Sequence, residues 1–113
     1  MMVSRGDICL ANLNPQKRPN EVGKMRPVLV VQSNFLNENS YPTTIIVPLT
    51  SQLIDDTQPL RYRIKKRENL QFDSDALVAH IRAIDNDRFV EKIAKLSFDE
   101  MQVVKKLILE TIE

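Results

Sequence analysis

At 113 residues, 42% hydrophobic and 27% charged, the chain has the balance of an ordinary soluble globule and room for one domain over residues 1–113. No apolar run approaches the roughly 20 residues that span a bilayer, residues 1–7 lack the apolar core of a secretory signal, and the lone Cys9 excludes an internal disulfide and a cysteine-cluster metal site. The net charge of +1 hides an asymmetry, because residues 1–67 carry ten Lys/Arg against five Asp/Glu (+5) and residues 68–113 carry six against ten (−4), so the basic portion suits an anionic partner such as nucleic acid.

Gly6 to Asn12 reads as a first strand, closed by the turn residues Asn12-Leu13-Asn14-Pro15. Gln16 to Met25 is polar and contains Pro19, Asn20 and Gly23, the composition of a basic loop. The β-branched run Arg26 to Gln32 predicts a buried strand, with Pro27 at its start because proline cannot donate to a central ladder. Asn34 to Tyr41 is turn-rich, with room for one helical turn. Thr43 to Val47 predicts a third strand ended by Pro48, and Leu49 to Pro59 an irregular connection.

Leu60-Arg61-Tyr62-Arg63-Ile64 alternates apolar and basic residues, as a half-exposed strand does. Asp75 to Arg82 predicts another strand and Phe89 to Ile93 a short one. Ser97 followed by Glu100 is a capping box, and beyond it Met101, Val104, Leu107, Ile108 and Ile112 form one apolar stripe at helical spacing. Strands first and one C-terminal amphipathic helix last favour a small barrel or α+β fold.

The residues available for chemistry are few. One histidine, one cysteine and no cluster at ligand spacing argue against a catalytic zinc, and neither phosphate-binding glycine motif occurs, so no cofactor is expected. Arginine and hydroxyl chemistry on RNA fits this composition. RNA carries its own nucleophile, the 2′-hydroxyl, so a protein need only orient the phosphate, stabilise its charge and move protons. Arg26, between a loop and a buried strand, is placed to grip two phosphate oxygens, although arginines at strand ends are more often structural. Thr50 and Ser51 follow the third strand, where hydroxyls serve either a phosphate or the turn backbone. His80, the single imidazole, lies in an apolar run and reads first as a packed residue, second as a base or base reader. Lys65-Lys66-Arg67 reads as a solvated face able to steer RNA. The six aromatics show no interleaving of a stacking platform.

Taken in order, Arg5-Gly6-Asp7-Ile8, Asn14-Pro15, Glu21 and Gly23, and Arg26-Pro27-Val28-Leu29-Val30 resemble the opening of MazF/PemK toxins. Val47-Pro48-Leu49-Thr50-Ser51 resembles that family's second motif. Ile81-Arg82-Ala83-Ile84-Asp85 with Arg88-Phe89, then Lys92 to Ser97, resembles its third. The resemblance runs from about Arg5 to the last helix. It implies an SH3-like β-barrel with a C-terminal helix, a two-fold homodimer and a cognate antitoxin whose tail covers the RNA groove, while the single cysteine already makes a reducing cytoplasm the expected compartment. It also implies growth inhibition through metal-independent, sequence-specific cleavage of single-stranded RNA, leaving 2′,3′-cyclic phosphate and 5′-hydroxyl ends.

Position by position, Arg26 matches the family's catalytic arginine and Thr50 its catalytic threonine. Arginine is a poor base at neutral pH, with a pKa above about 12, so its charge is the firmer half of that role. Glu21 matches a loop position near the cleft and Ser74 a serine near the bound bases. Lys24, Ser51 and Gln52 are assigned with them to RNA binding. His80 stands where glutamine is common in the family, which bears on the cleavage motif and not on the reaction. Lys17-Arg18-Pro19-Asn20 replaces a more usual glycine-containing segment, and Ala94 a common glycine. The alternatives are a CcdB-type gyrase poison on the same barrel, or an inactive RNA-binding relative. The first favours an aromatic anchor at the end of the last helix, which Leu109 to Glu113 lacks.

Overall fold

The apolar runs near the start of the chain are buried on both faces. In the computed structural model, which describes residues 1–13 and 25–113, β1 (Asp7–Asn12), β2 (Met25–Val30) and β3 (Thr43–Thr50) form an antiparallel centre. Alternate residues serve two cores. Ile8, Leu29, Val47 and Leu49 face one cluster, and Cys9, Val28, Val30 and Ile46 face the other. This explains why the strands read as continuous apolar stretches.

The strand order is β4 (Arg61–Ile64), β5 (Ser74–Leu77), β3, β2, β1, β7 (Phe89–Lys95), with β6 (Arg82–Asp85) also on β3. No pairing joins β4 to β7 among the described residues, so the sheet stays open and "barrel" describes it loosely. One short helix, α1 (Asn34–Glu38), precedes β3, and α2 (Phe98–Ile112) ends the chain. Gly6 makes the turn into β1 at φ +96°, a conformation that disfavours any side chain. Its N–H donates to the Val30 carbonyl and its carbonyl accepts from Leu96, so the turn ties β2 to the end of β7.

Two expectations are corrected here. The third strand does not stop at Pro48 but runs through it to Thr50. The Ile45 carbonyl accepts from Val31, on the β2 side. Backbone groups alternate edges, so Pro48 presents its missing N–H to the opposite edge. There β3 exchanges partners, from β6 along Thr43–Ile46 to β5 at Leu49 and Thr50, and no ladder bond is lost.

The second correction concerns Asp75 to Arg82, which is not one strand. Leu49 faces Ala76, so unbroken register would set Ala79 against Ile46, yet Arg82 occupies that place. Three residues, Val78–His80, are looped out as a 3-10 turn. Val78 is buried in the step and His80 is exposed.

The capping box forms as expected: Ser97 Oγ accepts from Glu100 N, and Glu100 Oε1 accepts from Ser97 N. Met101, Val104 and Leu107 are buried, and Ile108 packs against them. Ile112, predicted on the same stripe, is instead 65% exposed, on the last residue of the helix. Among the described residues, no helix is long and apolar enough to cross a membrane.

Candidate functional site

A cleft of about 730 Å³ opens where β2, β3 and β7 approach the segment that joins β4 to β5. Leu10, Leu49, Leu70 and Ile93 give it an apolar floor. Arg26 and Pro27 come from the start of β2, Thr50 from the last residue of β3, and Ser51 and Gln52 from the turn that follows. Ser74 arrives from β5. The cleft thus draws on strand ends, where a rigid ladder holds the backbone and the side chain is free to meet a ligand.

The hydroxyls are oriented by what they already bind. Gln52 N donates to Thr50 Oγ1 at 3.2 Å, which fills one lone pair and leaves the Thr50 proton to be given elsewhere. Ser74 does the reverse. Its Oγ donates to the Phe72 carbonyl at 3.0 Å, so its oxygen remains as an acceptor. Among the described residues Arg26 makes no ion pair, and its side chain is exposed at the rim.

Five of the eight expected site residues therefore line one cleft: Arg26, Thr50, Ser51, Gln52 and Ser74. Glu21 and Lys24 lie outside the described residues. His80 is not in the lining; it sits exposed on the 3-10 turn beyond β5. Sequence reasoning missed Asn69, Leu70, Gln71 and Phe72, which wall the cleft, and Glu91, its one carboxylate among the described residues. Glu91 faces Leu10, which faces Pro27, so it stands two strands from Arg26's neighbour. Only the β1–β7 pairing reveals that.

Two ion-paired clusters flank the cleft. On one side, Asp75 is 1% exposed and lies within 2.6 Å of Arg63 Nε and 3.1 Å of Arg61 NH1. Burial alone would push its carboxyl up, but the hydrogen bonds from Arg63, the Ile54 amide and Arg61 hold it below its ordinary value. A carboxylate in an otherwise apolar strand was the sequence signal for such partners. On the other side, Arg67 grips Glu100 with two hydrogen bonds of 2.6 and 2.8 Å. Those bonds, joined by the Ser97 amide, lower the Glu100 pKa to about 2. Arg67 is thus engaged within the fold, and of Lys65-Lys66-Arg67 only the two lysines remain exposed. Among the described residues, no group of three or more His, Cys, Asp or Glu gathers at metal-binding distance.

Comparison with known proteins extends the picture over the whole chain. Residues 4–112 match the family model described as PemK-like, MazF-like toxin of type II toxin–antitoxin system. Endoribonuclease EndoA of Bacillus subtilis (strain 168) is 37% identical over 109 residues, which are 96% of this chain and 92% of that protein. Among solved structures, MazF from Deinococcus radiodurans superposes with a TM-score of 0.73 at 22% identity, covering 97% of this chain and 96% of its own. An endoribonuclease from Mycobacterial species in complex with its cognate antitoxin gives 0.75 at 15% identity, covering 97% and 94%. These two likenesses concern the fold.

Proposed function

The chain belongs to the PemK-like, MazF-like toxins of type II toxin–antitoxin systems, and from that premise we propose that it is an endoribonuclease that cuts single-stranded RNA in the Arg26–Thr50 cleft. The observation that carries this reading is the convergence of Arg26 and Thr50, from two different strands, on one cleft. The name of the 37% identical relative, an endoribonuclease, supports the same activity.

In this reading the 2′-hydroxyl of the substrate gives up its proton to solvent as its oxygen attacks the adjacent phosphorus, and the 5′-oxygen leaves and takes up a proton from solvent. The products are a 2′,3′-cyclic phosphate and a 5′-hydroxyl, and no metal is required. Charge accumulates on the non-bridging oxygens as the bond forms. A guanidinium matches two such oxygens with parallel hydrogen bonds, which is the role of Arg26. Thr50, whose oxygen already accepts from Gln52, donates its proton to the same phosphate. Ser74 accepts from a base or ribose, because its own proton is taken by the Phe72 carbonyl. Ser51 and Gln52 complete the binding wall, and Lys24 and Glu21 are assigned to RNA binding on the family resemblance alone. His80 meets RNA only where the strand extends past the cleft.

Partners follow from the family. A cognate antitoxin covers the groove and keeps the toxin silent; that such a partner exists is supported by the mycobacterial endoribonuclease of like fold, which is in complex with its cognate antitoxin. The active form is a homodimer in the cytoplasm, and its release inhibits growth by cutting RNA at a short motif. The test is direct. Antitoxin-free protein incubated with a long single-stranded RNA in EDTA should produce discrete cuts ending in cyclic phosphate. Intact RNA after incubation with the folded protein overturns the reading.

A further inference from the structure

Thr50 is the last residue of β3, and the turn after it has no ladder to hold it. Even so, three points of that turn are fastened to a single buried group. Asp75, directly across from Thr50 in the β3–β5 pairing, accepts the Ile54 amide on Oδ2 at 3.1 Å. The same oxygen takes Arg61 NH1 at 3.1 Å, and that nitrogen also donates to the Gln52 carbonyl at 2.8 Å. Its other oxygen takes Arg63 Nε at 2.6 Å, while Arg63 NH2 reaches Asp55 at 2.8 Å. Gln52, Ile54 and Asp55 are therefore all held by one carboxylate, directly or through its two arginines.

The connection continues to the cleft. Gln52, anchored at its carbonyl, gives its amide to Thr50 Oγ1. That bond decides which lone pair of Thr50 is filled and where its proton points. A buried carboxylate between two arginines contributes little net stability, since desolvation opposes the attraction. What it does supply is geometry. We propose that Asp75, with Arg61, is a positioning residue that aims the Thr50 hydroxyl into the cleft by fixing the turn from Gln52 to Asp55.

The proposal rests on the reading of the cleft as a ribonuclease site, so its test has one arm that needs no RNA. Asp75→Asn keeps the shape but sets an NH2 group against donors, and Arg61→Gln removes the bridge from Asp75 to the Gln52 carbonyl while leaving Arg63 and the Ile54 amide on the carboxylate. In the wild-type background each should lower kcat by on the order of tenfold to a hundredfold, the cost of a misplaced catalytic group, with KM within about twofold. In a Thr50→Ala background neither should lower kcat further. Hydrogen exchange without RNA should quicken about tenfold or more at the Gln52 and Ile54 amides and stay unchanged in β1 and β2. If Asp75→Asn does not fold, Arg61→Gln carries the same expectations for kcat and for the Gln52 amide, while Ile54, still bonded to Asp75, should not quicken. Full kcat in a folded variant, an equal loss in the Thr50→Ala background, or unchanged exchange at Gln52 overturns the proposal. A wild-type protein that leaves RNA intact while Asp75→Asn quickens that exchange would sink the ribonuclease reading, and with it the catalytic purpose of the anchor.

Discussion

A side chain's chemistry here depends on what it has already bound. Thr50 and Ser74 are both hydroxyls in one cleft, yet one is left a donor and the other an acceptor by a single backbone contact each. Cys9 shows the same dependence on surroundings. It is fully buried in the second core, and burial, reinforced by the nearby Asp7 carboxylate, pushes its thiol pKa up to about 12. Only the thiolate reacts, so native protein at pH 8 should resist a thiol-alkylating reagent that labels the urea-unfolded chain readily; rapid labelling of the native form would contradict this burial. His80 carries a second prediction. Because it lies outside the cleft, His80→Gln should leave the cleavage rate within about a factor of two, with any effect confined to site choice. A uniform hundredfold loss would instead mark it as catalytic.

What the sequence disclosed at this scale followed locality. Arg26, Thr50 and Ser74 sit at strand ends and Ser51 and Gln52 just past one, and the family resemblance, carried by short motifs around Arg26 and Thr50, singled them out. Glu91 reaches the cleft through the β1–β7 pairing and Asn69 through its amide's bond to the Ile93 carbonyl, and Asp75 owes its importance to Arg61 and Arg63 on another strand. No local pattern carries such partnerships.

Among the elements, α2 is the one whose start and buried face, Ile112 apart, were both legible, since capping and a 3.6-residue period are properties of one short stretch. The step from β5 to β6 was not, because periodicity cannot show that β3 divides one edge between two partners. Glu100 joins the helix start to the cleft wall: it caps Ser97 and grips Arg67, which closes the short bridge to Leu70. Its pKa falls from an ordinary 4.5 to about 2, chiefly through the Arg67 hydrogen bonds. A carboxyl depressed on folding stabilises fully above its unfolded pKa, and loses that contribution as pH falls from about 4.5 towards 2. Glu100→Gln should thus cost about 1 kcal/mol at pH 7, after allowance for solvent screening, and much less at pH 2. Urea unfolding at the two pH values reads this out, and an equal deficit at both would show that charge is not the cause.

Over the whole molecule, the positive excess of residues 1–67 is smaller than it looks to an RNA. Arg61, Arg63 and Arg67 are neutralised by Asp75, Asp55 and Glu100. Arg26, among the described residues, is not. Binding of a short single-stranded RNA should weaken as salt rises, and Arg26→Ala should reduce the log–log slope by about 0.7, one phosphate contact's worth. An unchanged slope would place the phosphate elsewhere.

The measurement that bears most directly on the account is single-turnover cleavage of one mapped RNA site, in EDTA, by the wild-type protein, Arg26→Ala and Thr50→Ala, each checked for native unfolding behaviour. Removing a group that stabilises transition-state charge should slow the chemical step by about a hundredfold or more, so both variants should bind the RNA and fail to cut it. Cleavage at the wild-type rate by either folded variant would contradict the assignment of this cleft as the place where RNA is broken.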